Sequence, residues 1–293
     1  MGSHPTLSRW CSFLAVTSGL TLLLACSSSS PKLTGSTRTY TEAKEAFNKG
    51  NFDRAVELTD KLAYSSPPEV FTERARVLRV VILSGTVVAY KELTEAYEKG
   101  TQKAKESAAR AEYRRLRQDN FQIWSKKALE LGEVAQQLTT GGTVSKEFTL
   151  DAPYPATEGP TAVPSLNRVI DGNAIGPEEE EAAVADARLK GVDDALAEIL
   201  GGDRSKARAA LTAGSVKISG TDLALFLARH LLVGAEAFDR KHGDEPTKFM
   251  ALHARSQEAV KAAVAELKEN PNADREKEAK KLQDRLKSAA KTI

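Results

Sequence analysis

The side chains best equipped for chemistry are gathered late in the chain, where His230, His242 and His253 are interspersed with Asp239, Asp244 and Glu245. Imidazoles beside carboxylates can hold zinc or relay protons. Zinc takes three or four ligands at short characteristic spacings, and the twelve-residue step from His230 to His242 does not supply one. At best two of these histidines meet across a helical hairpin, so structural or surface roles are expected and no metal is assigned. The run Glu178–Glu181 offers oxygens to calcium, but hard cations are held by turning loops; following Pro177, the run suits a helix N-terminus instead. The stretch "RAEYRRLRQDNFQIWSKK", Arg110 to Lys127, interleaves bases with aromatics as a phosphate- or lipid-facing surface does. Its acidic neighbours and helical spacing point to a solvated face with Phe121 and Trp124 turned inward. No G-x-S-x-G, H-E-x-x-H, Walker loop, or serine or cysteine with a spaced histidine partner occurs, and no cofactor is implied. The chain is therefore not expected to be an enzyme. A cell-wall enzyme would have only His230, His242 and Asp239 to work with.

One further reactive side chain stands apart, in "LLLACSSSS", Leu22 to Ser30. Arg9 precedes an apolar run from Phe13 to Ala25, thirteen residues long, which is too short to span a bilayer and is laid out as a secretory signal. Leu23, Ala25 and Cys26 resemble the bacterial lipobox, with Leu24 where a smaller residue is commoner. The resemblance implies cleavage before Cys26, lipidation of its thiol and acylation (palmitate-type) of its new amino group. Ser27 in place of aspartate after that cysteine resembles an outer-membrane address facing the periplasm. Several acyl chains anchor far more firmly than one, because each buried CH₂ contributes about 0.8 kcal/mol. Residues 26–38, Ser-, Pro- and Gly-rich at the start, then read as a flexible tether. The other cysteine, Cys11, lies within the removed segment 1–25, so no disulfide is expected and stability must come from packing. Lys and Arg number 42 against 40 Asp and Glu, a balance that gives no reason to expect a nucleic-acid partner.

The elements that would carry these groups are helical. "YTEAKEAFNKGNFDRAVELTDKLAYSSP", Tyr40 to Pro67, resembles one tetratricopeptide (TPR) repeat, a helix-turn-helix unit of about 34 residues. The resemblance assigns packing positions to Ala43, Phe47, Gly50 at the turn, Phe52, Ala55, Leu62 and the stopping Pro67. It assigns a partner-binding face to Tyr40, Thr41, Lys44 and Glu45. Thr39 stands where the family has a bulky aromatic, and the family's carboxylate-clamp residues are missing apart from Lys44, so that specificity is not carried over. One unit cannot bury its own face, so more helices must follow. Glu69–Gly85 and Thr86–Gly100 read as a second hairpin turning near Gly85, and Gln102–Leu138 as a longer helix. Residues 39–138 are thus expected to form a TPR-like array of two to three hairpins.

Residues 139–177 carry Pro and Gly too densely for continuous helix and read as a linker draped over the helices. "TVSKEFTL" within it has strand character, but a lone strand is not stable. Helix resumes at Pro177, and residues 178–293 form a second helical half. Its most apolar helix, "TDLALFLARHLLVGAEAFDRKHG", is expected at the buried centre, with Pro246 to Pro271 as its antiparallel partner and a last helix near Ala273.

The fold class expected is all-α, with antiparallel hairpins stacked as a TPR-like array and a Pro/Gly-rich linker before a second helical half. The function implied by the two resemblances is that of a membrane-anchored envelope lipoprotein acting as an adaptor or assembly factor. Its partners would be the membrane, through the lipid on Cys26, and an envelope protein or peptide. The alternative is a periplasmic carrier holding a small apolar ligand in a helical pore lined by positions such as Leu225 and Phe226.

Overall fold

The computed structural model describes residues 35–66, 68–139 and 143–291. Cys26, the stretch 1–25 read as a signal, and Pro67 lie outside the described residues. Helix α1 (Gly35–Asn48) begins within the stretch read as tether, so residues 35–38 are helix rather than leash. An i,i+4 pair, Arg38 Nε to Glu42 at 2.7 Å, supports that added turn. Gly50, at φ +73°, reverses the chain, and Asn51 caps α2 (Phe52–Ala63) by accepting from Arg54 N at 3.3 Å. Phe47 and Phe52 close the hairpin with ring centroids 5.8 Å apart.

Helix α3 (Thr72–Lys103) is where the sequence expectation fails most clearly. Instead of turning near Gly85 it runs unbroken for 32 residues and is buried on nearly every side from Ala75 to Tyr97. Gly85 serves contact, not reversal: a Cβ there would lie 2.6 Å from the backbone of Val192, on a later helix. A helix packed all round keeps its backbone bonds through a glycine, because burial outweighs the roughly 1 kcal/mol propensity cost. Helix α4 (Ser107–Leu138) returns along it, also 32 residues long. Residues 39–138 therefore hold two hairpins of unequal size, and the second is not a copy of the first.

From residue 143 onward the stretch read as a linker carries regular elements. Strand β1 (Glu147–Leu150) pairs antiparallel with β2 (Val216–Ser219), Phe148 opposite Ile218 and both buried. The partner that makes β1 stable comes from "VKIS", a segment with no local pairing signal. A short helix, α5 (Pro164–Ile170), follows with proline in its first turn.

Helix α6 (Pro177–Ile199) starts at the proline the sequence marked and crosses α3 where Gly191 meets Gly85. Asp203 caps α7 (Arg204–Ala213), accepting from Ser205 N and Lys206 N. Helix α8 (Gly220–Ala235) is buried over most of its length, as its apolarity requires, but stops before the expected end. A 3₁₀ turn (Glu236–Phe238) follows, and the Asp239 carboxylate accepts from Lys241 N and His242 N, which bends the chain toward α9 (Pro246–Glu269). Helix α10 (Ala273–Ala289) closes the described chain with only Ala279, Leu282 and Leu286 buried. The protein is all-α apart from the two-stranded ribbon, and one apolar core joins residues from α1 to α10 in a single unit from Thr34 onward. Among the described residues no helix is long and apolar enough to cross a membrane.

Candidate functional site

Helix α1 presents two adjoining stripes, Tyr40 with Lys44, and Thr41 with Glu45 and Asn48, set by the 3.6-residue period. The first stripe is covered. Residues 151–160, a proline-punctuated extended strap leaving β1, pass over it. Tyr40 donates its hydroxyl to the Asp151 carbonyl at 2.9 Å and stacks on Phe71 with centroids 5.0 Å apart. Burial, then the nearby Asp151 charge, push that hydroxyl's pKa well above the phenol range. Lys44 Nζ and Arg74 Nη1 reach the Asp151 carboxylate at 3.3 and 3.2 Å. Asn48 holds the strap's main chain with two groups, its side-chain Nδ2 donating to Tyr154 O and its main-chain carbonyl accepting from Ala156 N, each at 2.8 Å.

The strap's far end is pinned to α6 and α7. Gly159 N donates to Asp193 Oδ2 at 2.7 Å, and Arg204 Nη1 donates to Gly159 O at 2.8 Å. A Cβ on Gly159 would lie 2.5 Å from the α6 backbone, so only glycine allows this approach. Arg208 sits 4.7 Å over the Tyr154 ring and pairs with Glu158 at 3.0 Å. Asp193 is fully buried, and its burial, opposed by the Gly159 N–H and Arg204, raises its carboxyl above the ordinary aspartate value. The Tyr154 hydroxyl lies beside the same carboxylate and also opposes the rise.

Beside the strap, Thr41 and Glu45 of the second stripe stay open. Thr41, Lys44, Glu45 and Asn48 form one wall of a recess of about 440 Å³, Asp151–Pro153 a second and the end of α7 a third. The face assigned by the TPR resemblance is thus divided. Tyr40 is not available to a partner, because the chain's own strap and Phe71 bury it; Lys44 is tied to Asp151; Thr41 and Glu45 border the opening. Ala43, Phe47, Phe52, Ala55 and Leu62 are buried in the α1–α2 hairpin and Gly50 makes its turn.

The histidines are dispersed among local partners. His230 Nε2 lies 3.1 Å from Glu198, His242 Nδ1 lies 2.9 Å from Asp239, and His253 Nε2 meets the Leu286 carbonyl at 2.8 Å. Burial raises Glu198, but His230 and Arg229 overcome it and hold that carboxyl below its usual value. Among the described residues no three His, Cys, Asp or Glu side chains are placed to hold a metal ion. In the basic stretch Arg115 faces Glu112, Asp119 and Glu180, while Trp124 is fully buried. Of the acidic run, Glu179 accepts from Gly176 N at 3.1 Å, closing the start of α6. Leu225 and Phe226 belong to the packed core.

Sequence reasoning missed Asp151, Tyr154, Gly159 and Asp193. The signal was present in Pro153, Pro155 and Pro160, which favour an extended chain; nothing local said which helix it would cover. No protein-family model, curated protein or solved structure matches the chain.

Proposed function

We propose that the protein is a lipid-anchored envelope adaptor that holds extended peptide segments of a partner protein against α1, with Cys26 as its lipid attachment. One observation supports the docking reading above others: α1 already holds an extended segment by its main chain, through the Tyr40 hydroxyl, Asn48 Nδ2 and the Asn48 main-chain carbonyl. Main-chain recognition is indifferent to side chains, so the surface suits a second strand-like segment laid in the recess beside the strap. Thr41 and Glu45 supply the remaining polar contacts, and Leu211 an apolar one. The lipobox resemblance supports the anchor, and the TPR resemblance of Tyr40–Pro67 supports a docking role for the hairpin. The proposal gives the protein no catalytic step and no cofactor.

The test is site-specific photocrosslinking from position 45 in the full-length protein within its own envelope, with exposed Lys105 as the control position. A protein crosslinked from position 45 alone, through an extended segment, is the expected result. Equal labelling from both positions, or a bound small apolar molecule in place of any protein, would overturn the reading. Labelling with an alkyne fatty acid should mark the protein and be lost in Cys26→Ser.

A further inference from the structure

The last two helices leave a groove between them. Val260, Val264 and Leu267 recur along α9, and Ala279, Gln283 and Leu286 along α10, at the three- and four-residue spacing that turns one stripe of each helix to the groove. Two open recesses of about 460 and 470 Å³ lie along it, and both are bounded by Gln283, which sets them side by side. The lining runs from Gln257 to Lys268 on α9 and from Glu276 to Lys287 on α10. Each span is about 16 Å at helical rise, room for about three turns of another helix.

The rims are basic. Lys261, Lys268, Lys280 and Lys287 border the recesses, against the carboxylate of Glu276 alone. Lys287 meets Asp284 only at 3.8 Å, and the other three lysines make no ion pair among the described residues. Both walls of this apolar-floored groove thus carry positive charge, with Lys261 and Lys268 on one and Lys280 and Lys287 on the other.

We infer that this groove docks an acidic amphipathic helix of a partner protein, its apolar face on Val264, Leu267 and Ala279 and its carboxylates toward the four lysines. Shape selects a helix over a bilayer, since a membrane surface cannot enter a cleft between two helices, whereas a third helix packs there ridge into groove. The chain's own residues 1–34 are excluded as occupant, because they contain no Asp or Glu. The surface shares no residue with the α1 recess, so the two proposals succeed or fail separately.

The test uses the full-length protein in detergent and helical peptides of about 20 residues with one Leu/Ala stripe, flanked by Glu in one peptide and Lys in the other. Fluorescence anisotropy should register binding of the Glu peptide only, weaker at high salt. Reversing two rim charges, Lys268→Glu with Lys280→Glu, should weaken it on the order of tenfold. Gln283→Trp, a substitution at an exposed site, should block it sterically. Circular dichroism checks that both variants stay folded. Absent binding of the Glu peptide, or equal binding by wild type and both variants, would overturn the inference. So would capture of phosphatidylglycerol vesicles through Lys268 and Lys280 without peptide binding, or a dimer in ultracentrifugation that these reversals dissociate.

Discussion

The two N-terminal hairpins use glycine in opposite ways. In α1–α2, Gly50 occupies a left-handed conformation and makes the turn. In α3–α4, Gly85 sits in mid-helix and lets the backbone of α6 come close. The short hairpin is defined by its connection, and its helices of 14 and 12 residues need the strap to finish burying Tyr40. The long hairpin is defined by what crosses it. Local chemistry fixes a turn, whereas a crossing depends on a residue more than 100 positions away, Gly191.

Substitution at the two glycines is the sharpest way to break this contrast. Gly85→Val should be the most damaging, since the added atoms meet helix backbone that cannot yield; a loss of about 3 kcal/mol or more is expected from denaturant melts. Gly85→Ala in an uncrossed helix would gain about 1 kcal/mol, so a stabilised alanine variant would show that the crossing is loose. Gly50→Ala should cost about 1–2 kcal/mol through the left-handed backbone alone, with Gly50→Asn milder. Asn51→Ala removes one cap and should cost about 1 kcal/mol, confined to the short hairpin in hydrogen exchange.

Asp193, two residues beyond Gly191 on α6, extends the comparison to charge. Its carboxyl is raised in the folded state above the ordinary 3.8, so the native form holds its proton longer than the unfolded chain does. Stability from this group is therefore present at low pH and is lost as pH climbs from the unfolded value through the raised folded one. Asp193→Asn keeps an acceptor for Gly159 N and should flatten that part of the pH–stability curve. An unchanged curve would mean that the ionised carboxylate is fully compensated where it lies. This effect should be the smallest of the set.

Helix starts were legible because their signals are local. Pro177 and Pro246 each open a helix, and the Gly50-Asn51 turn fell where the pattern put it. The false turn at Gly85 shares its origin with these successes: a glycine between apolar runs looks the same in sequence whether it reverses the chain or admits a neighbour. The ribbon was hidden because β1 and β2 lie far apart, and each is only four residues long. The covering of α1 was not legible. Thr41 and Glu45 border an opening, while Tyr40 is buried by a segment whose destination no local pattern encodes.

The strap also sets a schedule. Tyr40 and its acceptor Asp151 are separated by 111 positions. At ordinary synthesis rates of 5–20 residues per second, the first hairpin exists for on the order of ten seconds before the segment that covers it has been made. Through that interval the Tyr40 hydroxyl, the Asn48 side-chain amide and the Asn48 carbonyl stand uncovered by the strap, and a chaperone or a partner's extended segment can reach the very groups that the strap later closes.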